Sequence, residues 1–321
     1  MKSLSVASVL AALAFASPAL ADGETIAVFT KNQTNPYFQN VRVGTEAAAK
    51  ALNVKVLQYI PTKPDSIPEQ MSQVEDVIIK KPNAIVFVPV DYKALVPGVE
   101  KMNAANIPVV NFIDRIAGGQ TVSFIGADDY SIAITSARHL LKAMNGTGNV
   151  VIIEGVKGSL TNVDRMRGFN DALKEFSNVK LLASQPGNYQ RLQALQVMEN
   201  LMQSNPQIDG VLAANDAMAV GAIEALEGAN RKAHIIGING TKEAVDLIKA
   251  GKMLASGDYN GFAQGCLGTM MAIRSLRNQP VISEIVLKPT VITKDNYQPF
   301  DVPLEQRTCP TFEDAGKLGA K

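Results

Sequence analysis

Short apolar runs recur along this chain, separated by stretches in which apolar residues return every three or four positions. The first run, Thr25–Thr30, is apolar nearly throughout, as a strand covered on both faces would be. A polar loop follows, Lys31 to Thr34, and Asn35-Pro36-Tyr37-Phe38 opens a helix. Asn is a favoured N-cap, and Pro is preorganised for the first helical position. The alternation then continues. Helices are predicted at Tyr37–Leu52, Pro68–Lys80, Tyr92–Ala105, Tyr130–Met144, Val163–Phe176, Arg191–Ser204, Ala217–Glu227, Lys242–Ala250 and Phe262–Arg277. Strands are predicted between them, at Lys55–Tyr59, Ala84–Val90, Pro108–Ile113, Val122–Ile125, Asn149–Glu154, Val179–Ser184, Gly210–Ala214, His234–Ile238, Met253–Asp258 and Ile285–Ile292.

Strands alternating with helices through short connections indicate βαβ units and parallel sheets. So many units in one chain fit two doubly wound α/β lobes, and a single (β/α)₈ barrel is the structural competitor. A weak restart near Gly126–Asp128 and the late extended segment around Lys288-Pro289 favour the two lobes. The divisions read from the pattern are 22–127 plus 260–285 for the N-terminal lobe and 128–259 plus 286–321 for the C-terminal lobe and tail. Three crossovers, near Ala127-Asp128, Asp258–Asn260 and Glu284–Leu287, would act as hinges.

The first 21 residues stand outside this pattern. Lys2 is a positive n-region, Leu4 to Ala16 is apolar, and Ala19-Leu20-Ala21 fits the small-x-small cleavage rule. Ser3, Ser5, Ser8, Ser17 and Pro18 interrupt the run, so a membrane anchor is disfavoured. The reading is a signal peptide cleaved after Ala21 and a mature protein in an exported, periplasmic compartment.

Composition narrows the function classes. Of 321 residues, 46% are hydrophobic and 19% charged, which is globular. The net charge of +1 gives no electrostatic case for nucleic-acid binding. Two histidines and two distant cysteines leave no metal-site spacing, and no cofactor motif is present. No nucleophile elbow, Walker sequence or HExxH occurs, so a secreted α/β enzyme is the minor reading.

Polar residues cluster at strand ends, where open α/β sheets bind ligands. Asp114-Arg115 ends one strand, Asn215-Asp216 another, Asn239 a third and Asp258-Tyr259 a fourth, while Arg165 opens a helix and Tyr189 follows a strand. Each taken alone is an ordinary cap or turn residue. Their recurrence at one edge of two sheets would converge on one cleft.

The motifs TIAVFTKNQTNPYF, ANIPVVNFIDR, RMRGF, LASQPGNY, VMENLMQSNPQIDGVLAANDAMAVGAIEAL and GKMLASGDYNG run in order from Thr25 to about Thr293. In them the chain resembles periplasmic substrate-binding proteins of the ribose-binding type, which feed ABC importers. The resemblance implies a monosaccharide held between two lobes, with ABC permease subunits as partners, a chemoreceptor as a second reader, and a monomer. It implies ligand contacts from Asn35, Tyr37, Phe38, Asp114 and Arg115 in the first lobe, and from Arg165, Tyr189 and Asn215 in the second. Departures are Lys31, where the family has a small hydroxyl residue, Asn239, where it has Asp, and Asp258-Tyr259 in the region of its hinge glutamine. If Lys31 and Asn239 both face inward, the pocket moves toward positive charge, which raises a sugar acid, a polyol or a different pentose as ligand.

Export gives the cysteines a meaning, because the compartment is oxidising. A disulfide between Cys266 and Cys309 would pin a tail, Pro299 to Lys321, that otherwise looks loosely held. A buried helix thiol and a separate tail thiol are the alternative.

Overall fold

A computed structural model of the chain describes residues 23–319. The signal-peptide expectation for Met1–Ala21 therefore lies outside the described residues. The chain runs β1 (Thr25–Phe29), α1 (Pro36–Leu52), β2 (Lys55–Tyr59), α2 (Ile67–Lys80), β3 (Ala84–Phe87), α3 (Val96–Ala104), β4 (Val109–Phe112) and β5 (Ser123–Ala127). It then crosses to a second lobe at Asp128. That lobe contains α4 (Asp129–Ala143), β6 (Thr147–Glu154), α5 (Leu160–Lys174), β7 (Asn178–Pro186) and α6 (Arg191–Ser204). It continues through β8 (Gly210–Ala213), α7 (Asp216–Gly228), β9 (His234–Asn239), α8 (Lys242–Lys249) and β10 (Ala255–Asp258). The return crossing at Tyr259-Asn260 leads to α9 (Gly261–Leu276) and β11 (Glu284–Leu287), and a third leads to β12 (Thr290–Thr293) and, after the tail, α10 (Phe312–Gly319).

Two six-stranded sheets result, in the orders β11-β5-β4-β3-β1-β2 and β12-β10-β9-β8-β6-β7. The architecture is two doubly wound α/β lobes. In each sheet the order reverses beside the first strand of the lobe, and the crevice beyond that point, at the strands' carboxyl ends, is where such sheets place a ligand. The apolar strand runs are explained by burial on both faces. Within β1, Ile26 and Val28 point into the core beneath α1 and α9, while Ala27 and Phe29 point into the core beneath α2 and α3. Successive side chains alternate faces, so a strand with two covered faces has no polar positions to spare.

Helices α1 and α9 pack at backbone contact. A Cβ on Gly44 would fall 2.0 Å from the Phe262 carbonyl oxygen, and one on Gly265 would fall 2.1 Å from that of Val41. Only glycine permits that approach. Beside this contact Cys266 of α9 is bonded to Cys309, Cα atoms 5.6 Å apart, with Ala48, Phe262 and Leu304 around them.

Three expectations need correction. The segment Ile285–Ile292 is not one strand: β11 pairs parallel with β5 of the first sheet, and β12 pairs antiparallel with β10 of the second. Pro289 separates them, since a residue without an N–H and with fixed φ cannot continue a ladder. The third crossover is accordingly at Lys288-Pro289 rather than within Glu284–Leu287. The tail does not stay with the second lobe. Asp301 is held on α8 by Lys242 and Lys249, but Leu304 and Cys309 pack on α1 and α9, and α10 covers β11. Among the described residues no helix is long and apolar enough to cross a membrane.

Candidate binding site

The loop after β1 is rigid by its own hydrogen bonds. Asn32 Oδ1 accepts from the Asn35 backbone N–H at 2.9 Å, and Asn35 Oδ1 accepts from that of Tyr37 at 3.0 Å, closing the first turn of α1. These caps fix where α1 begins and so where its first two rings point. Tyr37 and Phe38 meet edge to face, centroids 5.3 Å apart, and Tyr37 lies 5.6 Å from the ring of Tyr259 on the second crossover. All three are buried, and all three line a cleft between the lobes.

The opposite wall is built from the second lobe. Asn215 caps α7, accepting from the Met218 N–H at 2.9 Å, Tyr189 lies in the loop between β7 and α6, and Asn239 ends β9. Arg165 is 2% exposed. Its Nε donates to Asp129 Oδ1 at 2.8 Å, its Nη1 donates to the Ala214 carbonyl at 2.7 Å, and its guanidinium lies 4.7 Å over the Tyr259 ring. Tyr259 in turn donates to the other oxygen of Asp129 at 2.6 Å. Asp129 follows the first crossover and Tyr259 sits on the second, so this network ties two hinge strands to the pocket. Burial pushes the Asp129 carboxyl up to about 6, against the downward pull of Arg165.

The second cation of the cleft is also paired. Lys31 is buried, and its ammonium donates to Asp114, whose second oxygen accepts from the Thr161 N–H at 3.2 Å and from the Thr161 hydroxyl. Asp65 completes the floor, receiving Asn32 Nδ2 at 3.3 Å, with burial raising its pKa and Lys31 opposing. Three polar atoms of pocket-lining residues are buried with no protein partner: the hydroxyls of Tyr37 and Tyr189 and Oδ1 of Asn239. Burial raises both tyrosines' pKa, so at neutral pH these hydroxyls keep their protons.

Several lining residues hold unfavourable backbone conformations. Ile113 has φ 66°, Tyr189 φ 58° and Asn239 φ 146°. A β-branched residue at positive φ is costly, and such strain persists where the surroundings over-determine it. Gly155 serves the same site: a Cβ there would lie 2.1 Å from the Tyr189 ring.

Of the residues singled out in the sequence, Lys31, Asn35, Tyr37, Phe38, Arg165, Tyr189, Asn215, Asn239 and Tyr259 line one cleft. Asp114 stands directly behind Lys31. Arg115 does not belong to the cleft. Its side chain is half exposed, pairs with Glu284 at 2.8 Å and lies 3.8 Å over the Phe124 ring. Asn32, Asp65, Ile113 and Thr161 line the cleft and were not anticipated. Asn32 carried the one available signal, a polar residue in the strand-to-helix loop.

The cleft therefore offers flat apolar rings, paired cations and unspent hydroxyl and amide groups, between two lobes joined by three strands. This is the layout of a hinged receptor for a small polar molecule. The periplasmic binding protein domain family model matches residues 26–280, and the chain belongs to that family. The ribose import binding protein RbsB of Haemophilus influenzae is 29% identical over 287 residues, covering 89% of this chain and 97% of that protein. The D-allose-binding periplasmic protein of Escherichia coli is 30% identical over 266 residues, covering 80% and 86% respectively. A crystal structure of an ABC transporter periplasmic solute binding protein from Actinobacillus succinogenes 130z with bound D-allose superposes with TM-score 0.81. It is 31% identical and covers 86% of this chain and 99% of that one.

Proposed function

We propose that the cleft binds a neutral monosaccharide or polyol, held by the rings of Tyr37, Phe38 and Tyr259 and by polar groups of both lobes. The chain is the periplasmic substrate-binding component of an ABC sugar importer, with its sugar held between two closing lobes. In this reading the protein is exported with cleavage after Ala21, performs no chemistry on its ligand, and presents its closed lobes to a membrane permease.

The observation that carries the neutral ligand is the pairing of both cations. Lys31 is spent on Asp114 and Arg165 on Asp129, while Asp65 adds a further carboxylate. The charge that Lys31 brings is thus neutralised inside the protein by Asp114. A ligand carboxylate would face Asp65 in the lining, and the two lining cations, Lys31 and Arg165, are already paired with Asp114 and Asp129. One like-charge contact at ~5 Å costs roughly 3 kcal/mol at an effective dielectric of about 20. Sugar hydroxyls, by contrast, both donate and accept, which suits the open groups of Tyr37, Tyr189 and Asn239.

Thermal unfolding of the mature protein against pentoses, hexoses and polyols, each beside its sugar acid, tests this. A ligand at about 100 times its Kd adds about 2.7 kcal/mol of stability. A stabilising neutral compound is the expected result. Stabilisation by the acids alone would overturn it.

A further inference from the structure

We infer that Asp114 is a clasp between the lobes: its carboxylate caps helix α5 of the opposite lobe, and Lys31 holds it in position to do so. The inference rests on the reading that the lobes close around a ligand. Asp114 follows β4 of the first lobe and is 2% exposed, and Lys31 of the same lobe engages its Oδ2. Its Oδ1 is given wholly to Thr161, on the first turn of α5 in the second lobe, through both the backbone N–H and the hydroxyl.

Helix α5 lacks a cap of its own. Ser159 occupies the N-cap position, yet its side chain makes no capping bond and its buried hydroxyl has no partner. Of the other helices around the cleft, α1, α4 and α7 are closed by a local side chain, Asn35, Asp128 and Asn215, while α6 starts without one. The first N–H groups of a helix need acceptors, and its positive end favours an anion. Asp114 supplies both from across the cleft. Opening the lobes removes that acceptor, so the clasp favours closure by an amount that does not depend on which ligand is bound.

The nearby bond from Thr34 Oγ1 to Gln190 Oε1, 3.0 Å long, also joins the lobes, but it is exposed and competes with water. The Asp114–Thr161 contact is buried and charge-assisted, which makes it the stronger of the two. Because apparent affinity scales with the closed, competent fraction, a ligand-independent bias appears as a uniform factor in Kd.

The test compares wild type with Thr161→Val and Thr161→Ser, titrating two neutral sugars that stabilise the wild type and measuring amide exchange in the sugar-bound state. The clasp predicts that Thr161→Val weakens both sugars by the same factor, about five- to ten-fold, or about 1–1.4 kcal/mol. It also predicts several-fold faster exchange in the first turn of α5, with Thr161→Ser restoring both. Unchanged affinity in Thr161→Val would overturn the clasp. So would a loss that differs between the two sugars, since that marks a direct ligand contact, or a failure of Ser to rescue. A wild type that binds no neutral sugar would count against the functional reading instead.

Discussion

Replacing Arg165 with Met removes the charge at the centre of the pocket while keeping most of the side chain's length. Two hydrogen bonds are lost, to Asp129 and to the Ala214 carbonyl, together with the packing over Tyr259. The larger effect is on what remains. Asp129 would be a buried carboxylate held by the Tyr259 hydroxyl, and burial already pushes it up to about 6 with the arginine present. Breaking a buried pair from one side costs about 3–5 kcal/mol. At about 2 °C per kcal/mol for a chain of this size, the melting temperature should fall by about 6–10 °C. The sign of the pH dependence follows from the raised carboxyl. Stability from a group whose folded pKa exceeds its unfolded value is present at low pH and lost as pH rises through the folded value. The defect in Arg165→Met should therefore shrink from pH 8 to pH 5, as Asp129 takes up a proton. Adding Asp129→Asn should recover much of the loss at neutral pH. Differential scanning calorimetry of wild type, both single variants and the double variant, without ligand, measures each quantity. A melting temperature within about 1 °C of wild type, or a double variant as damaged as the sum of the singles, would refute the reasoning.

Other outcomes follow from the same contacts. Tyr189→Phe removes a buried hydroxyl that has no protein partner, so stability should hold or rise while sugar affinity falls about five- to ten-fold in titration calorimetry; unchanged affinity would take that hydroxyl out of the site. Asp216 accepts from Ser256 and from the Thr241 N–H and hydroxyl, and burial pushes it up to about 6. Wild type should therefore lose about 2 kcal/mol relative to Asp216→Asn between pH 4 and pH 6.5, read from denaturant midpoints; a constant difference would contradict the shift. Reducing the Cys266–Cys309 bond, which spans 43 residues, should cost about 4 kcal/mol by loop entropy, and an unchanged guanidinium midpoint would show that the tail is held without it.

The fold was legible because strands buried on both faces leave uninterrupted apolar runs, as Ile26 to Phe29 and Val150 to Ile153 do. What escaped was decided by single residues and long-range partners. Pro289 divides one apolar segment between two sheets, and nothing in the local pattern announces that β12 turns antiparallel. Polar residues read at strand ends line one cleft because strand order sends those ends to one edge. Arg115 failed by adjacency: Asp114 turns inward to Lys31, while its neighbour turns out to Glu284. Ile113 was hidden because its entry depends on a positive φ that β-branched residues seldom adopt. Thr161 was hidden because its partner is 47 residues away in the other lobe. The reversal in the charge argument has the same origin. Lys31 reads in the sequence as an added cation, and only the fold shows Asp114 neutralising it.

Small-angle scattering of the mature protein, with and without a stabilising neutral sugar, tests the central claim most directly. Closure of two lobes on a shared ligand predicts a smaller radius of gyration at saturation, with a midpoint that matches the calorimetric Kd and with the change lost in Arg165→Met at the same sugar concentration. A saturating sugar that leaves the radius of gyration unchanged would contradict it.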